Sequence, residues 1–282
     1  MPLVASQLST TTDTADARTS GQTQASPPGA ATVEPVAHTG SAAADPADAA
    51  CAYWADRAHH TSGAAAVLPS GRWLRYHAFT HRLLQQFTLS RLDRVRYRRA
   101  VDLGCGRGEW TALFAPRVDE MFACDVAAPF VSETRDRLDA LHHTSWNVEH
   151  SDLRSYSIPE GLDLAYLGGV LTYLTDDTAQ ELLYRLRLAT VDHAQIIIRD
   201  YCTFNLGRPS VEHASGFSMH RRPARLIALA ESVGLRCVEV RSSPSIYAEM
   251  MGNAITRWPL HLAWRVATAP WLRASHTFVF RA

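Results

Sequence analysis

Apolar residues along this chain fall into two rhythms, one of period two and one of period 3.6, and after Ala100 the two alternate. Short apolar runs predict strands at Ala100–Leu103, Met121–Cys124, Ser145–Val148, Leu162–Gly168, Gln195–Arg199, Leu235–Val240 and Thr277–Phe280. Between them, Ala179, Leu182, Leu183, Leu186 and Ala189 recur at i, i+3, i+4, i+7 and i+10, which predicts a helix over Asp176–Ala189 with Thr175 as its N-cap. A further helix is expected to open at Pro223 and stop at Gly234, where proline suits the first helical position and glycine the left-handed end. Alternating strands and helices imply right-handed βαβ units and a mostly parallel sheet, an α/β fold.

The flanking segments read differently. Met1 to Ala50 is Thr, Ser, Ala, Pro, Gly and Asp with no aromatic residue, so it is expected to be a disordered, dispensable tail. From Cys51 to Arg99 a helical rhythm returns in Trp73, Tyr76, His77, His81, Leu83, Leu84 and Phe87, which predicts an N-terminal helical cap ahead of a domain spanning 100–282. Within that domain, 242–275 is an insertion holding Tyr247, Trp258, Trp264 and Trp271 among arginines. It is too apolar for a solvated loop and suits a lid over the active-site edge, with a homodimer interface as the alternative.

Composition narrows the chemistry. Of 282 residues 46% are hydrophobic, enough for a substantial core, and 28 basic against 28 acidic residues leave no overall field to draw nucleic acid or a membrane surface. Every basic residue is arginine, which removes Schiff-base chemistry and phosphate loops that need lysine. Five cysteines without a C-x-x-C pair argue against a disulfide framework or structural zinc, and the absence of an apolar stretch of spanning length fits a cytoplasmic protein. The run Arg91, Arg94, Arg96, Arg98, Arg99 is read as a solvated helix face, and His77 with His81 as packing rather than metal ligands.

Candidate chemistry begins at Val101-Asp102-Leu103-Gly104-Cys105-Gly106-Arg107-Gly108, where glycines at i, i+2 and i+4 sit at a strand-to-helix turn. With Asp102 before the turn, Asp125 after the second strand and Asp152 after the third, the chain resembles the class I S-adenosylmethionine (SAM) methyltransferases. That resemblance implies a Rossmann-like seven-stranded sheet with the helical cap. It also implies SAM as cofactor, with adenosylhomocysteine or methylthioadenosine as product. The turn at Asp102, Gly104, Cys105 and Gly106 would pass under the methionine moiety, Asp125 with Val126 would hold the ribose, and Asp152 with Leu153 the adenine. Gly168 would lie near the reacting end.

From Val170 onward the chain is similar to protein N-terminal methyltransferases and, less closely, to phosphobase methyltransferases, in Leu171-Thr172-Tyr173-Leu174-Thr175-Asp176, Ile196-Ile197-Ile198-Arg199-Asp200-Tyr201 and Ser218-Met219-His220-Arg221. Tyr53-Trp54 fits as well. The chain departs from the N-terminal methyltransferases where they carry histidine and asparagine, having Tyr173 and Tyr201 instead. A phenol with a pKa near about 10 is a poor base, though its ring suits a sulfonium. Tyr173, Asp200 and Tyr201 are the catalytic candidates, and Trp54, Trp73, Tyr76, Arg199 and Tyr247 the substrate-binding ones, for a small-molecule acceptor. Two alternatives to methyl transfer stay open: intramolecular cyclisation of SAM, and an inactive SAM-binding scaffold.

Overall fold

The computed structural model describes residues 46–60, 74–203, 218–243 and 274–282. In chain order they form α1 (Pro46–His60), α2 (Leu74–Ser90), β1 (Tyr97–Leu103), α3 (Glu109–Phe114), β2 (Val118–Asp125), α4 (Ala128–Ala140), β3 (Trp146–His150), β4 (Leu162–Gly168), α5 (Asp176–Ala189), β5 (Thr190–Cys202), α6 (Pro223–Ser232), β6 (Arg236–Ser242) and β7 (Ala274–Arg281). The strands make one sheet in the order β3-β2-β1-β4-β5-β7-β6, in which only β7 runs antiparallel to its neighbours.

That order fixes where a ligand can enter. The chain winds outward from β1 to β3, then returns to start β4 against the other side of β1. The loops leaving β1 and β4 therefore diverge to opposite faces and open a crevice at the carboxyl edge.

Two apolar layers hold the sheet. On one face, Leu182, Leu183 and Leu186 of α5 and Leu226 and Leu229 of α6 pack on Ile196, Ile198 and Phe278. Each fully buried leucine contributes about 1.5–3 kcal/mol before entropy is charged against it. On the other face, Leu84 and Phe87 of α2 and Trp110 and Phe114 of α3 pack on Tyr166 and Ile197. Helix α5 spans the expected residues, and Thr175 Oγ1 accepts from the Thr178 N–H as its N-cap, an arrangement worth about 1 kcal/mol. Helix α6 opens at Pro223, and Gly234 beyond its end has φ 89°.

Three expectations need correction. The first helix begins at Pro46 rather than after Ala50, with Ala47 and Ala50 buried, so the tail boundary lay too far along the chain. The helical segment is also not set apart from the sheet: Ala42–Ala282 is one compact unit, and β1 begins at Tyr97 rather than Ala100. Finally, the arginine run is not a helix face. It crosses a turn into β1, where Arg91 pairs with Glu239 at 2.9 Å, Arg94 with Asp163 at 3.4 Å, Arg99 with Glu120 at 2.8 Å and Arg96 with Asp119. Residues 244–273 of the proposed lid, Trp73 and Tyr247 lie outside the described residues, as does the side chain of Tyr76.

Candidate active site

A cavity at the carboxyl edge gathers most of the singled-out residues. Asp102, Gly104, Cys105 and Gly106 line it from the β1 turn, Asp125 and Val126 from the end of β2, Asp152 and Leu153 from beyond β3, and Gly168 from the end of β4. Trp54, Tyr173, Arg199 and Tyr201 line it from the other side.

The glycine turn is built by contact as much as by conformation. Gly108, the N-cap of α3, has φ 75°, and a Cβ there would lie 2.8 Å from the Thr134 Cα, so only glycine lets α3 approach α4. Asp125 ties the turn to β2: its Oδ2 accepts from the Gly106 N–H at 2.8 Å and its Oδ1 from the Ala127 N–H at 2.9 Å. Burial raises its carboxyl above the ordinary range, and these two bonds pull the other way.

Asp102 is 1% exposed. Its Oδ2 accepts from Thr111 Oγ1 at 2.6 Å, whereas its Oδ1 is buried with no partner among the described residues. Burial pushes its carboxyl up to about 7. Asp152 contrasts with it. Burial pushes this group up too, but Arg154, donating at 2.6 Å from Nη2 and 2.8 Å from its backbone N–H, outweighs that and holds it low. The thiol of Cys51 also donates to Asp152, at 3.5 Å.

The far wall is aromatic and cationic. Tyr173 sits on a single 3-10 turn, Leu171–Tyr173, with its ring edge-on to Trp54 at 5.6 Å. Burial raises its phenol well above the ordinary value, so it stays protonated at neutral pH. The turn is clamped from behind by Arg221, 5% exposed, which donates to the carbonyls of Leu171 and Leu174 at 2.5 and 2.6 Å and pairs with Asp176 at 2.7 Å. Arg199 lies over the Trp110 ring at 5.3 Å and donates to the Tyr166 hydroxyl at 3.1 Å.

Asp200 does not line the cavity. Strand period two sends Arg199 and Tyr201 to the cavity face and Asp200 to the other, where it is 2% exposed and accepts from the Tyr201 N–H at 2.8 Å. Burial lifts its carboxyl to about 7.

Sequence reasoning missed several lining residues. Ala47, Ala50 and Cys51 join the expected Trp54 on one face of α1, at i, i+3, i+4 and i+7, a pattern hidden by the tail boundary at Ala50. His81, read as packing, also lines it, with Nδ1 3.7 Å from Glu109 Oε2 and its ring edge-on to Trp110. Burial and the Arg199 cation lower its pKa, which keeps the imidazole neutral.

A glycine turn, strand-end carboxylates and a crevice at the switch point of a seven-stranded sheet define a class I methyltransferase architecture. Residues 100–190, about a third of the chain, match the family described as "Methyltransferase domain". Nodulation protein S of Rhizobium tropici is 35% identical over 77 residues, 27% of this chain and 32% of that protein. The chain thus aligns with about a third of the length of the curated relatives it matches. A SAM-dependent methyltransferase of Leishmania major superposes with TM-score 0.61 at 14% identity, covering 84% of this chain and 83% of that one. Phosphoethanolamine N-methyltransferase 1 of Haemonchus contortus, in complex with phosphoethanolamine and S-adenosylhomocysteine, gives 0.60 at 15%, covering 84% and 49%. No described helix is long and apolar enough to cross a membrane.

Proposed function

We propose that the protein binds SAM in this cavity and transfers its methyl group to a small-molecule acceptor. The observation that carries the reading is that one cavity joins the glycine turn and the strand-end carboxylates to an aromatic wall. The residues present fit the cofactor. The unpartnered Oδ1 of Asp102 suits the ammonium of the methionine moiety, and Asp125, with lone pairs left after two backbone bonds, suits a ribose. Above Gly169 there is open space, since a Cβ placed there would meet nothing within 4 Å. Asp152, already engaged by Arg154, lines the same cavity and suits the adenine.

When bound, SAM supplies an electrophilic methyl on a sulfonium. The chain's own residues align and exclude water: Trp54 and Tyr173 offer ring surface to positive charge, worth about 0.5–2 kcal/mol, and the 171–174 turn is held rigid by Arg221. Tyr173, held protonated, takes no proton from the acceptor, so it orients rather than acts as base. The acceptor would be a metabolite handled within the cytoplasm.

Calorimetry with SAM, and with the Asp125→Ala variant, tests the binding. Absence of SAM binding, or equal binding by the variant, overturns the reading. Incubation with SAM alone tests the reaction: adenosylhomocysteine appearing only with an acceptor supports transfer, and methylthioadenosine without one means that SAM itself is cyclised.

A further inference from the structure

The cavity contains a cation, Arg199, that has no carboxylate in ion-pair contact among the described residues, although Asp102 and Asp200 act on it from farther off. Its contacts are the Tyr166 hydroxyl at 3.1 Å and the Trp110 face at 5.3 Å. Other arginines around the fold do pair: Arg107 with Glu133 at 2.6 Å, Arg154 with Asp152 at 2.6 Å, Arg221 with Asp176 at 2.7 Å. A guanidinium keeps its charge at any working pH, and a partly buried charge left without a counterion is costly.

The surroundings hold this cation in place. Trp110 stacks on Tyr166 at 4.8 Å between ring centroids, and Arg199 rests on the tryptophan side of that stack. Gly168 makes room for it, because a Cβ there would lie 2.7 Å from Tyr166 Cε1 and drive the ring away. A fixed guanidinium fork on an aromatic platform, open to a cavity, matches the planar geometry of a carboxylate or the oxygens of a phosphate. His81, which also lines this part of the cavity, adds a second polar ring.

Its place in the sheet separates it from the cofactor's expected seat. Arg199 is in register with Gly168 on β4, and β4 lies between β5 and the β1 turn, so its Cα stands two strands, about 10 Å, from that turn. Asp125 is a strand farther still, on β2. We propose that Arg199 anchors an anionic group, a carboxylate or a phosphate, of the methyl acceptor, so that the acceptor class is an anionic small molecule. This rests on the SAM reading above.

The experiment uses the full chain, saturated with adenosylhomocysteine and titrated calorimetrically with inorganic phosphate and, separately, with acetate. Alongside it, wild type, Arg199→Met and Arg199→Lys are compared in their affinity for adenosylhomocysteine and for methylthioadenosine, which lacks the carboxylate. The expected result is that at least one anion binds the loaded wild type. Arg199→Met should weaken it at least tenfold and Arg199→Lys less, with adenosylhomocysteine affinity within about threefold of wild type throughout. No anion binding by the loaded wild type, or equal binding by Arg199→Met, overturns the inference. So does a selective loss of adenosylhomocysteine but not methylthioadenosine affinity in Arg199→Met, because Arg199 would then hold the cofactor's own carboxylate. Failure of wild type to bind adenosylhomocysteine is a different result and overturns the SAM reading itself.

Discussion

The two walls of the cavity are made in different ways. The wall on β1, β2 and β3 is main chain and strand-end carboxylates, with Asp125 accepting from the Gly106 and Ala127 N–H groups and Asp102 from Thr111. Its parts lie at sheet positions that topology dictates. The wall on β4 and β5 is side chains brought from separated elements: Trp54 from α1, His81 from α2, Trp110 from α3, Tyr173 from a 3-10 turn and Arg199 from β5. The first wall is fixed by backbone geometry and tolerates little change. The second is held by ring contacts and one clamp, which leaves it freer to vary.

The largest effect is expected from the first wall. Gly108→Val places a branched side chain at φ 75° against the Thr134 backbone, costing roughly 2–5 kcal/mol and lowering Tm by roughly 5–15 °C in a thermal melt. A melt within a degree of wild type would show that α3 can move away from α4, and the contrast between rigid and adaptable walls would fail. Next comes the clamp of the second wall. Arg221→Met leaves the Leu171 and Leu174 carbonyls without their donor and is expected to cost about 2–4 kcal/mol in urea unfolding. If the second wall faces the acceptor, as proposed, the effect of Arg221→Met on adenosylhomocysteine affinity should be smaller than that of Asp125→Ala.

The same division explains what could be read from the sequence. The inner strands were visible because strands buried on both faces read as apolar runs, the largely exposed edge strands β3 and β6 showed only as short runs with few apolar residues, and the glycine turn and its carboxylates follow strand ends at short intervals. Strand ends were less visible: β5 runs Thr190–Cys202 because polar Thr190 pairs with Leu162 across a register shift, which no apolar run reveals. The second wall was harder because its contacts are long-range. Nothing near His81 announces that Glu109 will stand 3.7 Å from it, and the role of Ala47 and Ala50 depends on a helix start in an alanine-rich stretch. Asp200 is a different case, since strand alternation alone places it opposite Arg199 and Tyr201.

A pH experiment probes the first wall without any ligand. In the folded chain Asp102 keeps its proton up to about 7, while the unfolded chain releases it near about 4. Between those values the folded state binds more protons than the unfolded state, so the stability of the ligand-free protein falls as pH rises. Asp102→Asn should remove on the order of 2 kcal/mol of that decline between about pH 5 and about pH 8. Urea unfolding across this range measures it. Asp200, also raised to about 7, leaves a remaining slope that a double variant with Asp200→Asn should flatten further. An unchanged slope in both variants would mean that neither carboxyl is held protonated by burial.

The smallest effect is expected at Tyr173, and its smallness is informative. Tyr173→Phe keeps the ring that faces Trp54 at 5.6 Å and removes only the hydroxyl that accepts from the Trp54 side chain, for a cost of about 1 kcal/mol. Because burial holds that phenol protonated, its loss removes no proton acceptor. Adenosylhomocysteine affinity should then stay within roughly twofold and the initial rate of methyl transfer within roughly threefold, since only a group that strengthens its interaction in the transition state governs rate. Tyr173→Ala, which deletes the ring, should lower affinity and rate further. If Tyr173→Phe instead abolishes transfer while binding persists, the hydroxyl takes part in the chemistry, and the second wall carries a proton-transfer group where the structure shows only an aromatic surface.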